Sequence, residues 1–496
     1  MHSNTQEISK DYWLVTGSTG LIGEYLLKDM LQAGFKIAVV VRASKSQSAR
    51  QRIEGILQRW ESELGTVLPR PVILEGDITQ PGFDLAADQL EWINRFCGHI
   101  LHNAAILKFF GPCRSSEPWT TNVGGTCNAI KLAQDCGIED FHYVSTAYVC
   151  GDRTDRISEE EFDRQQGFRN DYEHSKFEAE KLVRSAGFAK PPTVYRPVVV
   201  SGDSQTGYTS TYHGLYLYLR MIALLVPQQE RDAAGKIVTR IDLPMTGDEP
   251  RNIVPVDWVA EVLTHLIGTP KAHGRTFHIA PQDGITANQL VQFCYDYFGS
   301  TGVNFCGRAA LDRQSDNDFA SKVFDAIKIY EDYETSDPVF DRSNLEKFAG
   351  HLDCPALDRN IIHRYIDFGE SDRWGRKKKK AAEWSLCGEA LILRLADEIL
   401  DLATDLQADA HDQTSDFRFR CTFDLLGPGG GVWSVEAHRD GQVLVTPGAL
   451  PHPDLTLQMN VQRLEQWLSS DRVARRQVTA RWVQRTDGAH NIFLTD

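Results

Sequence analysis

Residues 15–23 read V-T-G-S-T-G-L-I-G, and no other stretch restricts the fold of this chain so strongly. An apolar run at 12–15 precedes it, and helical spacing follows over 21–33. Three glycines between a strand and a helix have separate uses. Gly17 turns the chain tightly, Gly20 lets the backbone approach a pyrophosphate, and Gly23 lets the helix pack close to the strand. The free N–H groups at the helix start then face phosphate oxygens. The residues placed at a nucleotide by this turn are Thr16, Gly17, Ser18, Thr19, Gly20, Leu21, Ile22 and Gly23.

Further apolar runs lie at 36–41, 71–75, 99–102, 141–145 and 193–196, with helical segments between them, notably 126–136 and 172–185. Near-continuous apolar strands alternating with helices predict an α/β fold: a Rossmann-type, doubly wound parallel sheet covered on both faces. From about Ser201 the pattern turns irregular and aromatic (Tyr208, Tyr212, Tyr216, Tyr218). A small substrate lobe is expected there, around 201–250 and 281–350. Two later strand-like runs, 251–256 and 276–279, are expected to return to the sheet region.

At 496 residues the chain is long enough for two or three domains. The first is expected over 10–370. A basic stretch containing R-W-G-R-K-K-K-K (373–380) marks a linker over 371–385. Beyond it, a helix over 386–406 and period-two runs at 417–423, 432–436, 442–446 and 454–458 predict a separate α+β domain with an antiparallel sheet, over 386–496.

A formal charge of −15 argues against a nucleic-acid or anionic-membrane binder. The ten cysteines show no C-x-x-C pair and no His/Cys cluster at ligand spacing, so no metal is expected. The amino terminus lacks the apolar core of a signal peptide. The longest apolar run, from Leu215, is too short to span a bilayer and carries Arg220. These features predict a reduced, cytoplasmic protein without a transmembrane segment.

The second strand runs into Arg42, where an NAD site usually places a carboxylate for the ribose hydroxyls. A guanidinium there pairs with a 2′-phosphate, and Lys45, Arg50 and Arg52 stand close by, so the expected cofactor is NADPH. Asp77 and Ile78 follow the third strand, where a carboxylate can accept from adenine. Asn103, Ala104 and Ala105 follow the fourth, where small side chains let a cofactor lie against the backbone.

D-Y-E-H-S-K at 171–176 sets Tyr172 and Lys176 one helical turn apart. Reduction of a carbonyl needs a proton donor for the developing alkoxide, and free tyrosine, with a pKa of about 10, is a poor one near neutrality. A lysine ammonium beside it would lower that value and could also hold the cofactor ribose. Thr146, at the carboxyl end of the 141–145 run, would orient the carbonyl oxygen. Thr146, Tyr172 and Lys176 form a consistent catalytic set.

Taken in order, T-G-S-T-G-L-I-G, G-D-I, H-N-A-A, T-N-V-G-G-T, V-S-T-A-Y-V-C-G, Y-E-H-S-K, Y-R-P-V-V-V and N-I-V-P-V-D-W-V-A resemble the extended short-chain dehydrogenase/reductase superfamily, over about 10–370. The resemblance puts the superfamily's catalytic hydroxyl on Thr146 rather than Ser145. It adds Asn122, Pro197, Val199 and Val200 to the residues around the cofactor. V-V-V-R-A, G-D-I-T-Q-P-G-F-D-L and P-M-T-G-D resemble its thioester reductase and fatty acyl-CoA reductase branch. That implies NADPH-dependent reduction of an acyl thioester to an aldehyde or alcohol, with the acyl group delivered by CoA or an acyl carrier protein. An NAD(P)-dependent ketoreductase or alcohol dehydrogenase of a sterol or other lipid would use the same residues. A catalytically silent nucleotide- or lipid-binding protein is the reading from another class.

The carboxyl-terminal pieces F-R-C-T-F-D, G-P-G-G-G-V-W-S-V-E, D-G-Q-V-L-V-T-P-G and P-D-L-T-L-Q-M resemble the sterol carrier protein type 2 fold. This implies an apolar tunnel for a lipid or acyl chain. Residues 471–485 lack the Gly-Lys and Ala-rich helix of that pattern, so a packing or oligomerising role stands beside lipid binding.

Overall fold

The seven-stranded sheet at the centre of the computed structural model is parallel throughout, in the order β3-β2-β1-β4-β5-β6-β7. Its strands are β1 (Tyr12–Thr16), β2 (Ile37–Val41), β3 (Val72–Glu75), β4 (Cys97–His102), β5 (Asp140–Val144), β6 (Thr193–Pro197) and β7 (Thr276–Ile279). The structure describes residues 10–243, 245–307, 333, 337–376, 387–396, 417–438, 440, 442–450, 453–470 and 491–493.

The sheet is buried on both faces because its strands are apolar at consecutive positions. Trp13 and Val15 join one core with Val39 and Val41, while Tyr12 and Leu14 join the other with Ala38 and Val40. Helices α1 (Leu21–Gln32), α2 (Ala49–Leu64) and, later in the chain, α7 (Val256–Ile267) pack on the first face. Helices α3 (Ala87–Phe96), α4 (Gly125–Asp135) and α5 (Asp171–Ser185) cover the second. Local signals set the helix starts: Ser48 and Gln51 form a capping box on α2, and Asn170 caps α5 by accepting from the Glu173 N–H. The predicted doubly wound α/β fold is the observed one.

One detail differs from expectation. The 276–279 run does become a sheet strand, β7, on the edge of β6. The 251–256 run does not: Ile253–Pro255 pairs in parallel with Val199–Ser201 as a separate two-stranded sheet. β7 already occupies the free edge of β6, so this segment pairs beyond it. The apolar run from Leu215 is a helix, α6 (Leu215–Leu225). It stands with α8 (Ala287–Phe298), α9 (Arg359–Ser371) and the parallel pair Ile237–Leu243 and Ser300–Phe305 beside the carboxyl ends of the strands.

The stretch expected as linker starts as packed structure. After α9, Trp374 is buried against Gly369 and Tyr212; 377–385 lie outside the described residues. The carboxyl-terminal sheet orders as β10-β9-β8-β11-β12, from β8 (Phe417–Leu426), β9 (Gly431–His438), β10 (Val443–Pro447), β11 (Leu455–Asn460) and β12 (Asn491–Phe493). It is antiparallel through β8, β9 and β10, while β11 and β12 join in parallel. Helices α10 (Gly388–Ala396) and α11 (Val461–Ser469) share its core. The predicted helix over 386–406 is seen as α10, and the remainder of it, with 471–485, lies outside the described residues. This unit rests on the first one: the Trp92 indole donates to the Pro447 carbonyl, and the Ala449 N–H donates to the Tyr12 hydroxyl at 2.6 Å.

Candidate active site

The loop after β1 is shaped by what glycine lacks. Gly17 has φ +76°, and a Cβ on it would stand 2.7 Å from the backbone of Ala104; one on Gly23 would stand 2.0 Å from the Gly17 carbonyl oxygen. Gly20 caps α1 with no side-chain hydrogen bond, so the helix offers its first N–H groups to whatever lies in front. Ser18 Oγ is buried and has no hydrogen-bond partner among the described residues. An orphaned hydroxyl, a cradle that a Cβ would fill and an uncapped helix start fit the phosphates of a dinucleotide.

Thr16 and Gly23 do not line the cleft in front of this loop, and neither does Asn122. Gly23 serves packing, and the other two belong to a directed hydrogen-bond chain. Ala104 N donates to Thr16 Oγ1 (3.2 Å), which donates to His102 Nδ1 (2.8 Å). His102 Nε2 donates to Thr126 Oγ1 (3.1 Å), which donates to the Asn122 carbonyl (2.6 Å). The carbonyl at the end accepts only, which fixes every proton upstream of it. Burial, with a smaller contribution from Lys176, pushes the His102 imidazole down to about 3, so it stays neutral in this chain. The Asn122 amide holds the Ile106 backbone at both its N–H and carbonyl and donates to Ser175 Oγ at 2.9 Å.

Arg42 and Arg52 meet at the end of β2, as the sequence suggested. Arg52 donates to the Arg42 carbonyl (2.6 Å) and to Thr19 Oγ1 (2.8 Å), and Arg42 pairs with Asp77 at 3.3 Å. Ile78, Asn103, Ala104 and Ala105 also line the cleft, and Pro197, Val199 and Val200 form its opposite wall.

Thr146 and Tyr172 come together, although 26 positions separate them in the sequence. Burial raises the Tyr172 phenol to about 12; a hydrogen bond with Thr146 opposes that rise, and the charge of Glu173 adds to it. Ser145 faces elsewhere, donating to Glu180 at 2.6 Å. Lys176 is not on the Tyr172 hydroxyl: its Nζ donates to the Tyr143 hydroxyl (2.7 Å) and the Val144 carbonyl (2.8 Å) while lining the same cleft. Burial lowers it to about 7, against the opposing charge of Glu180.

The cleft has a volume of about 820 Å³ and runs on past Thr146 and Tyr172 into the lobe of α6 and α8. Leu219, Ile222, Leu243, Val291, Cys294 and Val303 line that end. Sequence reasoning missed lining residues near Thr146 and Tyr172, among them Phe109, Tyr148, Tyr333 and Asp337. Tyr148 donates to Asp337 (3.2 Å), which also accepts from the Asn252 N–H (2.7 Å), and Tyr333 donates to Glu173 (2.6 Å). Tyr148 lies within the V-S-T-A-Y-V-C-G motif and was legible there; nothing around Asp337 in the sequence marks it.

Residues 15–263, half of the chain, match the NAD-binding family described as male sterility protein. The chain belongs to the male sterility protein family. It is an NAD(P)H-dependent oxidoreductase, and the glycine turn, Thr146, Tyr172 and Lys176 all fall within the matched residues. Aldehyde reductase lnaA of Aspergillus flavus is 27% identical over 393 residues, 71% of this chain and 35% of that protein. Nonribosomal peptide synthetase asaC of the same organism is 29% identical over 281 residues, 54% of this chain and 26% of its own length. The chain thus spans about a quarter to a third of these relatives. The terminal R domain from the myxalamid PKS-NRPS biosynthetic pathway superposes with a TM-score of 0.59 at 26% identity, covering 76% of this chain and 94% of that domain. UDP-glucose 4-epimerase, at a TM-score of 0.52 and 15% identity, shares the fold alone.

The lysine of this family member carries a testable pH signature. A buried amine held near 7 binds fewer protons folded than unfolded, where its pKa is 10.5. Wild-type stability therefore rises with pH across that interval, and the cost of the buried charge is complete below pH 7. Lys176→Met removes the titration. The melting temperature of the variant minus that of the wild type, both free of nucleotide, is expected to fall steadily between pH 7 and 10. A flat difference would show that the amine is not perturbed.

Proposed function

We propose that this chain reduces an acyl thioester to an aldehyde with NADPH. The observation that carries the reading is that the Thr146–Tyr172 pair lies in one cleft between the glycine turn and a deep apolar pocket. When bound, the nicotinamide supplies a hydride to the carbonyl carbon. Thr146 orients the carbonyl oxygen, and Tyr172 gives that oxygen its proton. The resulting hemithioacetal expels the thiol and leaves the aldehyde. Lys176 holds the end of β5 in place through Val144 and Tyr143, and its ammonium faces the ribose side of the cleft. Arg42 and Arg52 take the 2′-phosphate. The apolar far end, built by α6, α8 and the strands beside them, receives the acyl group.

The relatives, an aldehyde reductase, a nonribosomal peptide synthetase and a terminal R domain of such a pathway, support a thioester delivered by a carrier protein, with CoA as the alternative carrier. The resemblance of the carboxyl-terminal unit to the sterol carrier protein type 2 fold enters this reading in a structural role, through its contacts with Tyr12 and Trp92.

Purified full-length chain is assayed with NADPH against an acyl-CoA series, acyl-pantetheine and a ketosteroid. NADPH oxidation with one thiol released per thioester is expected. Turnover of the ketosteroid with none of any thioester would transfer the site to a lipid ketoreductase. Losing a charge-assisted pair costs about 1.5–3 kcal/mol, so Arg42→Glu should raise the NADPH KM roughly 10- to 100-fold while leaving that for NADH nearly unchanged.

A further inference from the structure

At the amino-terminal end of the strands, away from the cleft, three imidazoles surround one carboxylate. Asp140 opens β5, His142 lies two residues on, His99 comes from β4, and His273 precedes β7. His99 Nδ1 is 2.8 Å and His273 Nδ1 3.2 Å from Asp140 Oδ2; His142 Nε2 is 3.1 Å from Oδ1. Asp140 and His142 are buried, while the rings of His99 and His273, 30% and 17% exposed, open the group to solvent.

The proton positions are constrained. His273 Nε2 lies 3.0 Å from the Ile267 carbonyl oxygen, which only accepts, so that nitrogen carries the N–H. The other nitrogen then presents its lone pair to a carboxylate oxygen. Two acceptors in contact require positive charge, either a second proton on the ring or a cation between them. One imidazolium would answer a single carboxylate, yet two more rings converge on it. The outer nitrogens are also held as those of metal ligands are: His142 Nδ1 by the Tyr195 hydroxyl at 2.9 Å, His273 Nε2 by the Ile267 carbonyl. Donor atoms of Asp140, His142 and His273 all lie within 4.8 Å of one another.

We propose that Asp140, His142 and His273 bind one divalent transition-metal ion of the zinc class. Two imidazole nitrogens and one carboxylate oxygen are three ligands of the kind zinc takes, with water in the fourth tetrahedral position, and His99 orients the carboxylate from outside the set. The ion would tie β5 to the approach to β7 at the sheet end opposite the chemistry, so its role is a clamp.

The test uses full-length chain stripped with a chelator and then titrated with ZnCl2 and, separately, CoCl2. One zinc equivalent beyond the uptake of His273→Asn is expected, with the visible d–d bands of tetrahedral cobalt and a rise in melting temperature in the wild type alone. Because the buried Asp140→Asn variant can fail to fold, the partly exposed His99→Gln and His273→Asn carry the comparison, with far-UV circular dichroism confirming their structure. Each should weaken zinc binding roughly tenfold or more. Subtracting the variant removes zinc taken by the ten cysteines. Equal uptake by wild type and both variants, or cobalt spectra without tetrahedral bands, overturns the proposal.

Discussion

Tyr172→Phe is expected to lower kcat with an acyl thioester about 10²- to 10⁴-fold, the range a positioned general acid contributes. The change removes one oxygen and keeps the ring, so its packing against Phe109, 6.4 Å away between centroids, persists. NADPH affinity, measured by fluorescence titration, should move less than threefold or so, because on the proposed reading the glycine turn, Arg42 and Arg52 would hold the cofactor without the phenol. The two measurements together separate proton donation from binding. Thr146→Val should show the same kcat loss, since Thr146 shares the hydrogen bond that restrains the Tyr172 pKa. Turnover unchanged in Tyr172→Phe would remove the phenol from the mechanism, whatever the substrate.

Glu180→Ala is expected to cost about 3–5 kcal/mol of folding stability, the penalty for stranding a buried charge. Glu180 is fully buried; it accepts from Arg196 at 2.6 Å, Arg184 at 2.8 Å and Ser145 at 2.6 Å. Among the described residues, the hydrogen bonds left to Arg196, 1% exposed, would be one to the Glu161 carbonyl at 2.9 Å and a long contact with His278. Denaturant unfolding measures the loss. The double variant Glu180→Leu/Arg196→Met should lose less than Glu180→Ala alone, because two apolar side chains strand no charge. The pair also has a pH signature. Burial raises the Glu180 pKa, but Arg196 and Arg184 overcome it and hold the group at about 2, below the usual 4.5. Its contribution is therefore complete above pH 4.5 and lost as pH falls toward 2. A double variant less stable than the single one would show that the pair contributes through its charges.

The parts of this molecule that sequence exposes are those whose meaning is local. The glycine turn, the alternation of Trp13 and Val15 with Tyr12 and Leu14, and the Tyr172–Lys176 spacing each fit within one strand or one helical turn. The α6 helix was harder to see because it lacks a polar face: Tyr216 and Leu219 pack toward α9 and also line the cleft beside Tyr218 and Ile222, so no 3.6-residue polar rhythm appears. Thr16 and Asn122 stand in motifs that suggest cofactor contact, yet both are consumed by the hydrogen-bond chain behind the cleft. Asp337 and Tyr333 reach the cleft only through tertiary packing. The residues around Asp140 are spread from 99 to 273, and strand register, not spacing, gathers them. An expectation of no metal drawn from C-x-x-C and His/Cys spacing is blind to such an arrangement.

The chain of hydrogen bonds from Ala104 through His102 to Asn122 continues through Ser175 Oγ to the Tyr172 carbonyl at 2.9 Å. Its consequence is mechanical. Apolar contacts tolerate sliding, whereas hydrogen bonds with assigned donors are stiff in length and direction. The glycine turn and the start of α5 are thereby joined by a strut, while the far end of the cleft is walled by apolar side chains held by packing alone. On the proposed reading, substrates of different girth would deform that wall without altering the distance between the glycine turn and the phenol.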